Sequence, residues 1–327
     1  MSSLPEATAE TPAAAEQILR RLEWTVIRRL DGLLHGDYRT LFRGPGLDLA
    51  DIREYQYHDD VRHIDWNVTA RLQTPYVREY NEEREIAAWF LVDLSPSVDF
   101  GSRRPKRTVA LEFVSVLARL LTRHGNRVGA LFYGESVDTV IPPRGGRRHV
   151  LGLVHRMLSR KPQARAKATD LREFLESAAA LTRRRALVFL VSDFMSETDW
   201  GPALSRLGLR HEVVAVRLYD ALEQSLPDLG MFLMQDAESG EQVFVDTGAP
   251  GFRRRFAEAA ARHEERVRDA FANAGVDALE LATEDDLADA ILRFADLRKS
   301  RSRLSAGGSM PVHLTAARGR PRDVPVA

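Results

Sequence analysis

A short polar segment with the sequence DLSPS, residues 93–97, follows directly after the apolar run of residues 86–92. Asp93 offers carboxylate oxygens, and Ser95 and Ser97 offer hydroxyl oxygens at alternate positions. All three are hard oxygen ligands of the kind that bind Mg²⁺ or Mn²⁺, provided that the segment turns tightly enough to aim them at one point. A single segment of this kind usually forms only a loop or a helix cap, so its meaning depends on what surrounds it.

Two further polar positions lie in a similar context. Asp193 comes shortly after the apolar run of residues 186–191, and Thr169 begins a segment with helical spacing, residues 169–181. Ligand sites of open α/β sheets lie beyond the carboxyl ends of their strands, and both apolar runs are predicted to be buried strands. We therefore expect one divalent metal ion to be bound at this edge by Asp93, Ser95, Ser97, Thr169 and Asp193.

The expected metal is Mg²⁺, with Mn²⁺ or Ca²⁺ as alternatives between which the residue types do not decide. Two carboxylates at adjacent strand ends repel each other unless a cation lies between them. Because the hydroxyl ligands are neutral, the metal keeps a strong affinity for a carboxylate from another protein. This predicts a protein target that offers a carboxylate. Thr169 also has a simpler interpretation as a helix N-cap, with Asp170 near the positive end of the helix.

Apolar runs alternate with segments of helical spacing from residue 85 onward. Strands are predicted at residues 86–92, 128–133, 136–141, 186–191, 211–218, 241–245 and 276–281. Helices are predicted at residues 106–124, 149–158, 169–181, 252–273 and 285–297. Residues 136–141 are expected to form a hairpin with the strand before them, and residues 241–245 an edge strand. The pattern predicts an α/β fold, with a doubly wound, mostly parallel sheet and helices on both faces.

The composition divides the chain into four predicted parts. Residues 1–16 are rich in Ala, Thr, Pro and Glu and are predicted to be disordered. Residues 17–84 are predicted to form an N-terminal helix, residues 17–34, followed by a small β-rich extension. Residues 85–298 form the predicted α/β domain. Residues 299–327 are predicted to be a disordered basic tail.

The overall composition narrows the functional classes. The 327 residues contain 47 basic and 47 acidic side chains, so no global field favours nucleic acid, and no specific nucleic-acid partner is expected. The absence of cysteine excludes disulfides, thiolate catalysis and cysteine-bound metal centres. The first residues show no basic region followed by an apolar run, so they are not expected to be a secretory signal, and no run approaches the roughly 20 apolar residues of a membrane helix. These features predict a cytoplasmic protein without a transmembrane segment.

The candidate ligands resemble a known motif. An Asp-x-Ser-x-Ser segment, a distant threonine and a later aspartate are similar to the metal-ion-dependent adhesion site (MIDAS) of von Willebrand factor A domains. Asp93, Ser95 and Ser97 match its first element, Thr169 its second and Asp193 its third. Pro96 stands where the motif usually has glycine.

A longer resemblance is to the bacterial family catalogued as domain of unknown function 58, over roughly residues 35 to 220. It is carried by the segments FRGPGLDLADIREYQYHDDVRHIDWNVTAR, PYVREYNEEREIAAWFLVDLSPSVDFG, LFYGESVDTVIPPRGGRRHVL, ATDLREFLE and ALVFLVSDF, in that order. The resemblance implies a von Willebrand factor A-like core with an N-terminal extension. It also implies partnership with a MoxR-type AAA+ ATPase. Many relatives carry membrane helices before the core, and this sequence shows none.

Two functional hypotheses follow. The first is a metal-dependent protein-binding adaptor or co-chaperone, not an enzyme, which acts with a MoxR-type ATPase on target proteins. The sequence contains no nucleotide P-loop and no serine hydrolase or zinc protease motif, so a MoxR-type partner must supply the energy. The second is a metal-dependent hydrolase of phosphate esters, in which acids such as Asp170 help to activate water.

A second metal site is conceivable in the N-terminal extension, where Asp59, Asp60 and Asp65 lie beside His58 and His63. We favour the simpler interpretation that this segment is a charged loop whose acidic side chains pair with neighbouring arginines. The arginines in question are Arg53, Arg62 and Arg71.

Overall fold

The computed structural model describes residues 10–30, 51–56, 61, 64–79, 87–160, 169–236 and 240–305. Its helices are α1 (Glu10–Leu22), α2 (Trp66–Leu72), α3 (Lys106–Arg123), α4 (Arg147–Ser159), α5 (Leu171–Leu181), α6 (Gly201–Arg210), α7 (Ala221–Gln224), α8 (Pro250–Ala274) and α9 (Leu287–Ser305). Its strands are β1 (Asp51–Glu54), β2 (Tyr76–Glu79), β3 (Ala87–Asp93), β4 (Arg127–Tyr133), β5 (Val137–Arg144), β6 (Leu187–Ser192), β7 (Glu212–Tyr219), β8 (Met231–Gln235), β9 (Gln242–Asp246) and β10 (Asp277–Ala282).

The centre of the molecule is a six-stranded sheet in the order β10-β7-β6-β3-β4-β5. Every neighbouring pair is parallel except β4 and β5, which form the predicted antiparallel hairpin. Strands β3 and β6 lie in the middle of the sheet, and their apolar side chains are buried on both faces, as continuous apolar runs predict. The predicted α/β fold class, with a mostly parallel sheet, is confirmed.

Helices cover both faces of this sheet. On one face, alternate side chains of the strands pack against α1, α3, α4 and α9, with the ring of Phe189 stacked on Phe90 at 5.2 Å and edge-on to Phe113 at 5.9 Å. On the other face the strands pack against α5, α6 and α8. Because successive side chains of a strand point to opposite faces, each central strand contributes to both apolar layers.

The N-terminal helix begins earlier than predicted. Helix α1 starts at Glu10 rather than at residue 17, so part of the segment predicted to be disordered is helical. Its Ala-rich start has high helix propensity, and Ala15 and Leu19 are buried in the core layer that includes α4. A short π-helix, Glu23–Ile27, continues it. Strands β1 and β2 pair antiparallel in a small separate sheet, within the region predicted to be β-rich.

Three further elements differ from the prediction. Helix α6 was not predicted, although Ala203, Leu204 and Leu207 form its buried face. The predicted edge strand at residues 241–245 does not join the central sheet: β9 pairs with β8 in a separate hairpin, because β10 already occupies that edge. Helix α9 continues to Ser305, beyond the predicted start of the disordered tail. Among the helices described, none is both long and apolar enough to cross a membrane.

Candidate metal centre

The carboxyl ends of β3 and β6 bring Asp93 and Ser192 side by side. These strands are parallel, and Val92 pairs with Val191 one position earlier. The hydroxyl of Ser192 donates a 2.7 Å hydrogen bond to Oδ2 of Asp93, and both side chains are fully buried. Ser192 was not among the predicted ligands, although its position directly before Asp193 was a usable signal.

The DLSPS segment makes the tight turn that its chemistry requires. The backbone amide of Ser95 donates to Oδ1 of Asp93 at 3.0 Å, and the hydroxyl oxygens of Ser95 and Ser97 lie 3.1 Å apart. Pro96 begins a 3₁₀-helical turn, Pro96–Asp99, a position that suits proline because its fixed φ matches the first turn of a helix. The residue that departs from the adhesion-site motif therefore starts the turn in which Ser97 lies.

Asp193 lies next to an unusual backbone conformation. Phe194 has a φ of 59°, in the left-handed region that bulky residues rarely adopt. The resulting turn lets the amide of Phe194 donate to the Ser192 hydroxyl at 2.9 Å and the amide of Met195 donate to Oδ1 of Asp193 at 3.1 Å. The Phe194 ring is fully buried, 4.8 Å from Phe271, and this packing holds the strained residue in place.

A buried lysine lies against Asp193. Lys106 opens α3, yet its side chain is only 1% exposed. Its ammonium group donates to Oδ2 of Asp193 at 2.7 Å and to Oε1 of Glu223 at 2.5 Å. Burial opposes the charge of Lys106, but these two carboxylates outweigh it and raise the pKa of Lys106 above its usual value. Lys106 was not predicted to be a site residue, and no local signal in the sequence marks it as buried.

Thr169 is buried on the same edge of the sheet. The backbone amide of Asp170 donates to the Tyr133 hydroxyl at 3.1 Å, and Tyr133 ends β4 beside Asp93. The carbonyl oxygen of Thr169 accepts a 2.7 Å hydrogen bond from Ser196. The structure thus places Thr169 at the predicted edge, and these two hydrogen bonds of the segment involve its backbone. Coordination by its hydroxyl stays a prediction.

The N-cap of α5 is Asp170 rather than Thr169. Its Oδ1 accepts the backbone amide of Glu173 at 3.0 Å and the hydroxyl of Thr198 at 3.0 Å. Burial works against the charge of Asp170, but these hydrogen bonds outweigh it, so the pKa of Asp170 lies below its usual value. The acid considered for water activation in the hydrolase hypothesis therefore has a structural role in the helix cap.

Replacing Asp170 with alanine is expected to lower the free energy of unfolding by about 1 kcal/mol, because the cap of α5 is lost. Urea unfolding followed by circular dichroism measures this change. Glu176→Ala, on the exposed surface of the same helix, is the control and should change stability by less. Divalent cation binding by Asp170→Ala should equal that of the wild type; a large loss would assign Asp170 to the metal shell.

Burial at the end of β3 changes the pKa of Asp93. Its removal from water and the nearby charge of Asp193 raise the pKa of Asp93 from 3.8 to about 6, against the hydrogen bonds from Ser95 and Ser192. A carboxylate without a neighbouring cation is unfavourable in such surroundings. The raised pKa is therefore the behaviour expected at a site where a cation would be stabilising.

The metal-free protein should accordingly gain stability from Asp93 as the pH falls. In the folded protein Asp93 becomes protonated below about pH 6, whereas in the unfolded chain it becomes protonated only near pH 3.8. The ionised Asp93 therefore destabilises the fold fully above the folded-state pKa, and this destabilisation disappears as the pH falls below the unfolded-state pKa. Relative to Asp93→Asn, the wild type should gain about 2–3 kcal/mol between neutral pH and pH 4. Chemical unfolding of both proteins in chelator across this range measures the difference. A constant difference would contradict the raised pKa.

The residues present fit a hard divalent cation, with one departure. In the part of the chain that the structure describes, no three His, Cys, Asp or Glu side chains form a cluster suited to metal, so the donors are two carboxylates and neighbouring hydroxyls. Asp93, Ser95 and Ser97 are all buried within one hydrogen-bonded turn, and all offer oxygen. The departure is Asp193, whose Oδ2 already pairs with an ammonium group.

The second metal site considered in the N-terminal extension lies mostly outside the described residues. The structure does not describe His58, Asp59, Asp60, Arg62 or His63. Asp65 is described and buried, and its Oδ1 accepts the backbone amide of Val68 at 3.2 Å, at the start of α2. This contact gives Asp65 a role in capping a helix.

Comparison with known proteins gives relatives along most of the chain. "Uncharacterized protein Rv1480" of Mycobacterium tuberculosis is 38% identical over 285 residues, which cover 86% of this chain and 89% of that protein. "Uncharacterized protein Mb1516" of Mycobacterium bovis has the same identity and coverage.

Solved structures with a similar fold include BatB, a conserved hypothetical protein from Bacteroides thetaiotaomicron, which is 14% identical with a TM-score of 0.43 and covers 65% of this chain and 98% of its own. The SpRpn10 VWA domain is 12% identical with a TM-score of 0.37, over 64% of this chain and 95% of its own.

The family described as "Protein of unknown function DUF58" matches residues 51–266. This match spans more than half of the chain and most of the central domain, so the chain belongs to the DUF58 family.

Proposed function

We propose that this protein is a metal-dependent protein-binding adaptor, whose metal-ion-dependent adhesion site captures a carboxylate of a target protein. The observation that carries the proposal is the buried turn in which Asp93, Ser95 and Ser97 converge at the carboxyl edge of the sheet. The α/β, von Willebrand factor A-like fold of this DUF58 chain supports a role in protein interaction. The proposed metal is Mg²⁺, with Mn²⁺ or Ca²⁺ as alternatives.

Asp93 would hold the metal through its carboxylate, and Ser95 and Ser97 through their hydroxyls, with Thr169 and Asp193 completing the proposed set. A bound Mg²⁺ would supply a Lewis-acidic position that accepts a carboxylate oxygen from the target. The Ser95 amide and the Ser192 hydroxyl fix the orientation of Asp93. The Phe194 turn fixes Asp193 in the same way through the Met195 amide.

The proposal is non-enzymatic. The hydroxyl groups of Ser95 and Ser97 lie within hydrogen-bonding distance of each other, and Asp170 is engaged in the cap of α5. A site with neutral hydroxyls and few carboxylates leaves the metal free to bind an external anion rather than to activate water for a positioned base.

We further propose that a MoxR-type AAA+ ATPase acts on the captured target. This partnership rests on the family resemblance. The sequence has no nucleotide P-loop, so ATP hydrolysis would occur on the partner. The adaptor would select the target, and the ATPase would remodel or mature it.

A pull-down from the source cell tests the proposed function. The wild type and Asp93→Ala are each used with Mg²⁺ and with chelator, and captured proteins are identified by mass spectrometry. Asp277→Ala is the matched control, because Asp277 begins β10 at the opposite edge of the sheet. We expect the wild type and the control to capture the same proteins only with Mg²⁺, and Asp93→Ala to capture none of them. Equal capture by all three proteins in chelator would overturn the proposal.

A further inference from the structure

Lys106 is placed where a lysine is rarely found. Lysine side chains in the first turn of a helix normally extend their ammonium group into water, since burying that charge is costly. Here the side chain is 1% exposed and ends between Asp193 and Glu223, which lie on different elements of the carboxyl edge. A buried ammonium group held by two carboxylates in this way is a fixed positive charge inside the candidate site.

The two strand-end carboxylates have different partners as a result. Oδ2 of Asp193 accepts from the Lys106 ammonium at 2.7 Å, and its Oδ1 accepts from the Met195 amide. Asp93 accepts from the Ser95 amide and the Ser192 hydroxyl, both of which are neutral. Asp193 is therefore the carboxylate that already has a cation.

We propose that Lys106 sets the metal affinity of the site by acting as a tethered cation that competes with a divalent metal ion for Asp193. The inference rests on the proposed function and deepens it. A metal ion that binds Asp193 must displace the ammonium group or share the carboxylate with it, and like charges at that range repel strongly. Lys106 therefore lowers the affinity for metal and leaves Asp93 as the principal anionic ligand.

Glu223 makes this competition possible. It lies in α7, and its Oε2 also accepts the backbone amide of Asp220 at 2.9 Å, so its position is fixed by the capping box of that helix. Glu223 accepts a hydrogen bond from the ammonium group at 2.5 Å and gives it a partner even when Asp193 is engaged elsewhere. When a metal ion binds Asp193, the Lys106 ammonium group can therefore remain paired with Glu223.

The double variant Lys106→Met/Glu223→Gln tests the proposal. Relative to the wild type, it removes one positive and one negative charge, so the net charge of the cluster is unchanged. Relative to Glu223→Gln, it removes only the positive charge that lies on Asp193. Glu223→Gln alone is the matched control, because it retains Lys106 on Asp193. Binding of Mn²⁺ is measured by the loss of the free-ion electron paramagnetic resonance signal.

We expect the double variant to bind Mn²⁺ at least about tenfold more tightly than Glu223→Gln, since a neighbouring unit charge shifts a carboxylate equilibrium by roughly 10- to 1000-fold. Adding Asp193→Asn to the double variant should remove this gain. The same substitution in the wild type should change the affinity much less. A structural role of Lys106 alone would not produce this dependence on Asp193.

Equal or weaker binding by the double variant, relative to Glu223→Gln, would overturn the proposal and leave Lys106 as a structural ion pair. If the double variant melts below the titration temperature, its Mn²⁺-induced rise in melting temperature replaces the titration. A rise no larger than that of Glu223→Gln would also overturn the proposal. The pull-down with Asp93→Ala judges the proposed function separately, because metal-dependent capture can persist when Lys106 proves to have no effect on affinity.

Discussion

Lys106→Met is expected to lower the free energy of unfolding of the metal-free protein by about 3–5 kcal/mol, the usual cost of removing one partner of a buried ion pair. The substitution leaves Asp193, whose side chain is 1% exposed, and Glu223, which is 17% exposed, without their shared cation. Burial already raises the pKa of Glu223, so its charge is unfavourable without the lysine. Chemical unfolding in chelator measures the loss.

Arg206→Met provides the control for charge removal. Arg206 also pairs with an acid, Glu176, but both side chains are more than half exposed, so this loss should be at most about 1 kcal/mol. Because a divalent cation can replace the missing ammonium on Asp193, saturating Mn²⁺ should restore a substantial part of the stability of Lys106→Met. A loss at Lys106 as small as that at Arg206 would show that the buried cluster contributes little.

The double variant Ser95→Ala/Ser97→Ala is expected to lower the affinity for divalent cations by at least about 100-fold, since even residues that only support metal ligands change affinity by 10- to 100-fold. Both hydroxyls are buried and lie 3.1 Å apart beside Asp93, so no other side chain of the turn replaces them. The rise in melting temperature with increasing Mg²⁺ measures the change.

Ser115→Ala is the matched control, because its hydroxyl is equally buried but donates to Leu111 within α3, away from the site. It should lose some stability and keep the full response to Mg²⁺. The paired serine variant should show the reverse, with a small change in stability in chelator and no response to Mg²⁺. A full response of the serine variant would assign the metal to other ligands.

The sequence predicted the centre of the fold well because the physical signals there are local. Central strands of a parallel sheet are buried on both faces, so β3 and β6 appear as continuous apolar runs whose ends are easily located. That alone placed Asp93 at the carboxyl edge and Asp193 just beyond it. The hairpin of β8 and β9 was harder to predict, since apolar side chains such as Met231 and Phe244 are exposed on it and mark no core.

The charge balance of the site could not be predicted in the same way. Lys106 and Glu223 are 117 residues apart, and the contacts of Lys106 with Glu223 and Asp193 depend on how α3 and α7 meet at the edge of the sheet. The left-handed conformation of Phe194 is equally invisible in the sequence, because residue type argues against it and only the packing of its ring maintains it. These tertiary contacts determine the charge next to Asp193 and the orientation of its carboxylate.

Titration of Mn²⁺ into the purified wild type, Asp93→Ala and Asp277→Ala, followed by electron paramagnetic resonance into the millimolar range, tests whether the chain binds a divalent cation through Asp93. We expect one weak site per chain in the wild type and in Asp277→Ala. We also expect an affinity at least about 100-fold lower in Asp93→Ala, because the principal anionic ligand is lost. Superimposable curves for the wild type and Asp93→Ala would contradict the assignment of a metal site to the turn that follows β3.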